Sequence, residues 1–155
     1  MFKLKKIIKN IFITSFLVVL FMPYIFVAQN QPKFIENLGQ FHQNIHFKLE
    51  HNAGNIYFEK SGVRFDLFEK EKINEIKHGN TKFKNVVGHR YKSSFINANR
   101  EVEIVGEKKS ETYHNYFIGN NPKKWKSNVP IFSSIRYNNL YDNIDLNYYS
   151  YGGKL

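Results

Sequence analysis

Two pairs of residues come closest to spacings that do chemistry. His42 and His46 stand four apart, the spacing with which one helix face presents two ligands to zinc. The surrounding NIHFKLE alternates apolar and polar residues, however, and on a strand such positions lie about 13 Å apart, too far to share an ion. The other His, at 51, 78, 89 and 114, are scattered and the chain has no Cys, so no third ligand, thiolate or disulfide is available. Asp142 and Asp145 could be imagined as the acid/base pair of a glycosidase, whose carboxylates stand roughly 5–9.5 Å apart across a cleft. Their setting, YDNIDLNYY, reads instead as a turn aspartate followed by a strand aspartate. Ser93-Ser94 and Ser133-Ser134 lack the G-x-S-x-G elbow, and no Gly-rich phosphate loop occurs. The expectation is a non-enzymatic chain with no catalytic, metal or cofactor-binding residue.

The tyrosines offer binding rather than bond-breaking. Of Tyr137, Tyr141, Tyr148, Tyr149 and Tyr151, alternation puts Tyr149 and Tyr151 on the face opposite Tyr148. Tyr149 and Tyr151 are therefore candidate ligand contacts, since amphipathic rings stack on glycans or anchor a protein partner. The same rings could equally pack a thin β core or cover a neighbouring domain.

The elements that would position these residues are strands. In NIHFKLE, Ile45, Phe47 and Leu49 alternate with His46, Lys48 and Glu50. NAGN supplies turn residues before IYFEK, and Ser61-Gly62 reads as a two-residue connection into GVRFDLFEK. EKEKINEIKHGN has no sustained apolar stripe and is expected as a solvated loop or short helix. VVGHRYKSSFIN, EVEIVG, YHNYFIG, IFSSIRY and NIDLNYY follow as further strands, and NNPKKWKSNVP, with two Pro and three Lys, reads as a connection. Seven or eight short strands with regular turn signals predict an all-β, antiparallel sandwich or barrel-like domain over residues 44–155, after a lead-in segment over 29–43.

Residues 1–28 read as an address. Lys3, Lys5, Lys6 and Lys9 precede an uncharged stretch from Ile11 to Ala28, the basic and then apolar pattern of an export signal. The stretch is also long enough for a membrane anchor over 11–28 if it is not cleaved. Pro23 and the polar run after Ala28 favour cleavage; Phe26, where a small residue is preferred, opposes it. The balance of 23 Lys and Arg against 13 Asp and Glu gives +10. Four of those cations lie in residues 1–28 with no acid, so the remainder carries +6. Lysines dispersed between strands, on an exported chain, argue against nucleic acid as a partner. At the other end Gly152-Gly153 makes a good hairpin turn with only Lys154 and Leu155 after it, and the expectation is a fragment cut one hairpin short.

The blocks FIENLGQF, IYFEKSGVRFDLF, GHRYKSSFINAN, YHNYFIGNNPKKWKSNVP and YNNLYDNIDLNYYSYGGKL occur in this order across residues 34–155. Together they resemble the N-terminal domain of large secreted proteins of gliding Gram-negative bacteria. Those proteins continue into seven-bladed β-propeller-type (SBBP) repeats and a C-terminal sorting domain for type IX secretion. The resemblance implies a secreted or cell-surface setting, downstream domains of the same longer protein as partners, and a structural, adhesion or display role. A carbohydrate-binding module acting through tyrosines is the alternative. Gly119, Trp125 and Asp145 fall on motif positions of these blocks, which implies turn and core determinants rather than a site.

Overall fold

The computed structural model describes residues 33–51, 53–69, 72, 73, 75 and 86–149. Within them the chain forms eight strands: β1 (Phe34–Glu36), β2 (Ile45–His51), β3 (Gly54–Glu59), β4 (Gly62–Phe68), β5 (Gly88–Ser94), β6 (Glu103–Tyr116), β7 (Lys126–Tyr141) and β8 (Ile144–Tyr149). All pairings are antiparallel. The order β5-β4-β3-β2-β1-β7-β6, with β8 paired to β7 off this path, makes one sheet curled into half a barrel. This is the all-β, barrel-like architecture that the alternation predicts. Residues 1–28, the expected signal helix, lie outside the described residues. Among the described residues no helix is long and apolar enough to cross a membrane.

The core follows from alternation and register. Phe47 faces Phe58 and Leu49 faces Ile56 across β2 and β3, while β4 brings Val63 opposite Phe58. Across the concave side, β6 and β7 supply Ile104, Ile135, Tyr137 and Leu140 to the same cluster. Because the sheet curls, its two wings touch. The ring centroid of Phe58 lies 5.0 Å from that of Tyr148, and the fully buried Tyr137 donates its hydroxyl to the Glu59 carbonyl at 3.2 Å. The connection from β5 to β6 closes one end, with Asn99 donating its N–H to the Leu140 carbonyl and Tyr141 its hydroxyl to that of Ile96.

Four differences from the sequence reading have physical causes. The lead-in segment 29–43 contains β1, which sits in the middle of the sheet between β2 and β7. Adjacent Phe34 and Ile35 are both buried, so β1 is covered on both faces; three residues with no solvated face leave no period to detect. The β3–β4 connection is Lys60-Ser61 rather than Ser61-Gly62, because Gly62 already pairs with Glu59. EVEIVG and YHNYFIG are not two strands: β6 runs through both, its register shifting between Lys109 and Tyr113 close to Lys108, whose φ is +54. Finally, β7 begins inside the expected connection and passes through Pro130. There β7 has β6 on one side, and β1 joins the other side only from Ile131, so proline's missing donor removes no bond to β1.

The buried rings make the fold sensitive to alkali. Burial raises the phenols of Tyr57, Tyr137 and Tyr148 above their usual 10 and pushes Tyr116 up to about 12. The native state holds these protons more tightly than the unfolded chain, so their stabilisation is complete below pH 10 and is lost as pH climbs through each raised native value, about 12 for Tyr116. Phenolate absorbance is expected to rise in two phases, the second coinciding with unfolding. A single titration of all ten tyrosines near pH 10, with no loss of structure, would contradict this packing.

Candidate functional site

The charges of the outer face of β3–β5 are largely internal to the fold. Asp66 and Glu59, both buried, project from the face opposite the core. Arg90 grips Asp66 with two bonds of 2.7 and 2.9 Å; Lys92 and Arg64 reach Glu59 at 2.7 and 3.0 Å. Arg64 also lies over the Tyr57 ring, 4.5 Å from its centroid. Arg90–Asp66 fastens β5, every residue of which is exposed, to β4, and Lys92–Glu59 reaches past β4 to the end of β3. Charge-assisted pairs of this kind hold the edge strand in place.

The tip of the β6–β7 hairpin is built differently. Residues 112–130 contain Lys123, Lys124, Lys126 and His114 but no acid, and among the described residues none of these lysines has an ion-pair partner. Asn121 caps a 3₁₀ turn over Pro122–Lys124, its side chain accepting the N–H of Lys123 at 3.0 Å. Pro122 at the first position fits because its missing donor is not needed there. Gly119 takes φ +77, a conformation that only glycine adopts without strain. That turn lets its carbonyl accept the Trp125 indole N–H at 3.1 Å, and the Phe117 ring packs edge-on to the indole at 5.7 Å. The tip is thus stiffened by its own bonds. It nevertheless leaves Phe117 59%, Ile118 75% and Trp125 41% exposed. Stiff apolar rings flanked by unpaired lysines can bury against a partner with little further ordering cost and favour one carrying negative charge.

The structure separates the residues that the sequence singled out. Gly119 and Trp125 meet at the tip as turn determinants: Trp125 closes the 3₁₀ turn and, at 41% exposure, lies outside the buried core. Asp145 lies on β8 and accepts the backbone N–H of Asn139 at 2.7 Å, holding an irregular stretch of β7 in which Asn139 has φ +50. Asp145→Ala is expected to lower stability by about 1 kcal/mol in denaturant titration, with Asp145→Asn costing less. Asp142 occupies the β7–β8 turn. Tyr149 is 62% exposed and pairs with Ser134, eight residues along β7 from Lys126 and so up to about 26 Å from the tip. Tyr151 lies outside the described residues. Burial, then the Lys60 charge, lowers His46, and among the described residues no three metal-ligating side chains gather. An open pocket of about 300 Å³ lies between the β1–β2 loop and Ile104, lined by Glu36, Asn37, Gln43 and His46.

Sequence reading treated NNPKKWKSNVP as a bare connection and so missed the tip. The signal was present: an apolar pair, Phe117-Ile118, beside a glycine, then a tryptophan among three lysines with no acid. Comparison with curated proteins and with solved structures finds no match. Residues 34–155, which contain all eight strands and the tip, match the family described as "Domain of unknown function (DUF7948)", and the chain belongs to that family.

Proposed function

We propose that this chain is a non-enzymatic β module of an exported, cell-surface protein, with a structural, adhesive or display role in which the β6–β7 tip is the contact surface. The observation that carries this reading is the tip itself, where Phe117, Ile118 and Trp125 stand exposed on a turn braced by internal bonds and flanked by unpaired lysines. The basic and then apolar run of residues 1–28 supports export. The likeness of the ordered sequence blocks to N-terminal domains of SBBP-repeat, type IX-secreted proteins supports display beside downstream domains of a longer protein. The test is a glycan array probed with the full chain. Binding concentrated on acidic glycans, and lost in the Phe117→Ser/Ile118→Ser variant, is the expected result. Hydrolysis of arrayed glycans, or equal binding by the variant, would overturn it.

Exposure of Tyr149 favours a second reading, a carbohydrate-binding module that uses Tyr149 with Tyr151. On the same array that reading predicts loss of binding in Tyr149→Ala and Tyr151→Ala, with the tip variant unaffected.

A further inference from the structure

Past the last pair of the β6–β7 hairpin, Tyr116 with Lys126, every residue from 117 to 125 is exposed. The apex therefore projects beyond the sheet. Ile118 is the most exposed large apolar side chain among the described residues. It has no ring face on which a sugar could stack and no polar atom, so an apolar medium is what rewards its burial. The donors behind it are already spent inside the turn. The Trp125 indole N–H goes to the Gly119 carbonyl, and the backbone N–H groups of Lys124 and Trp125 go to the carbonyls of Asn121 and Pro122, each at 3.0 Å. Donors satisfied within the turn lower the cost of bringing it out of water.

Lys123, Lys124 and Lys126 supply the other half of the surface, with no acid from 112 to 130 to offset them. An aliphatic and a phenyl side chain at an apex, with tryptophan and lysines beside them, match the layers of a membrane surface. The first two reach the acyl boundary, about 5–10 Å deep, while the indole and the ammonium groups stay among the headgroups. Each lysine held at an anionic surface is worth roughly fivefold in affinity. We propose that the β6–β7 tip docks on a bilayer with acidic glycolipid headgroups, seating Phe117 and Ile118 at the acyl boundary. The proposal rests on the reading of the tip as the contact surface and names its partner; arrayed acidic glycans reproduce only the charged half of that partner.

Trp125 is the chain's single tryptophan, so its emission reads the tip alone, apart from any lipid contact of residues 11–28. The full chain is mixed with vesicles of phosphatidylcholine and sulfatide, with or without bromine on the phosphatidylcholine acyl chains. Bromine is expected to quench wild-type emission at least twofold on these vesicles and little on phosphatidylcholine alone. Ile118→Ser, at an exposed side chain outside the bonds that brace the turn, should need about tenfold more lipid for half the quenching. Lys123→Glu/Lys124→Glu should lose the quenching. No quenching on the sulfatide vesicles, equal quenching on phosphatidylcholine alone, or an Ile118→Ser chain quenched like wild type would overturn the proposal. A wild-type chain that binds a sulfated polysaccharide yet is not quenched leaves the tip as contact surface and removes the membrane; failure of both removes both.

Discussion

Gly62→Ala is expected to lose at least about 3 kcal/mol of stability, and β5 is expected to come away from the sheet. Gly62 opens β4 with φ +149, where a side chain is strained whatever the space available. The space is also closed: a Cβ there would lie 2.1 Å from the Ser93 carbonyl oxygen and 2.9 Å from the Ser94 Cα. Both obstacles are backbone, so no rotamer change relieves them. The neighbouring strand must retreat, and with it go the Arg90–Asp66 and Lys92–Glu59 pairs and the stack of Phe65 on Tyr91 at 4.5 Å. Chemical denaturation of Gly62→Ala beside Lys60→Ala, a change at a half-buried turn side chain expected to stay within about 0.5 kcal/mol, separates this effect from a general sensitivity of the hairpin. A Gly62→Ala protein as stable as wild type would mean that β4 and β5 are not in this register.

Phe34→Ala is expected to cost about 3–5 kcal/mol, the range for removing a fully buried phenylalanine and leaving a cavity. The ring is completely buried, packs 5.3 Å from that of Phe58, and sits opposite Leu49 on one side and Phe132 on the other. It therefore joins the β2–β5 wing to the β6–β8 wing, and its loss weakens both. The conservative Phe34→Leu should recover more than half of the loss, since volume-matched apolar exchanges are tolerated better. Denaturant midpoints at unchanged slope would show that stability alone has changed.

β1 and the tip mark how far the sequence could be read. Where one face of a strand is buried and the other wet, as at Ile45, Phe47 and Leu49, alternation exposed both the strand and its inward side. Where burial is two-sided, as at Phe34-Ile35, nothing alternates, and the strand on which the sheet turns is silent. Length was hidden for a related reason. Asn128, with φ +55, and Lys108 introduce irregularities that reset the period within one long hairpin arm, so β6 reads as two strands and β7 starts late. Asp142 and Asp145 could be read as a turn and a strand aspartate from their setting in YDNIDLNYY, and the structure places them in the β7–β8 turn and on β8. Trp125 could not be placed, because the bond that holds its indole, to the Gly119 carbonyl, depends on the shape of the turn and not on any spacing.

The central claim, that an exposed aromatic and basic tip is the contact surface of a binding module, is tested most directly by retention of the full chain on a sulfated polysaccharide across a salt gradient. Wild type should be retained at low salt and released steeply as salt rises, because displaced counterions drive such contacts. Lys123→Glu/Lys124→Glu should elute at distinctly lower salt with a shallower dependence, and Phe117→Ser/Ile118→Ser should elute early with the salt dependence preserved. Elution of both variants together with wild type, or a wild-type chain that is not retained at low salt, would contradict the claim.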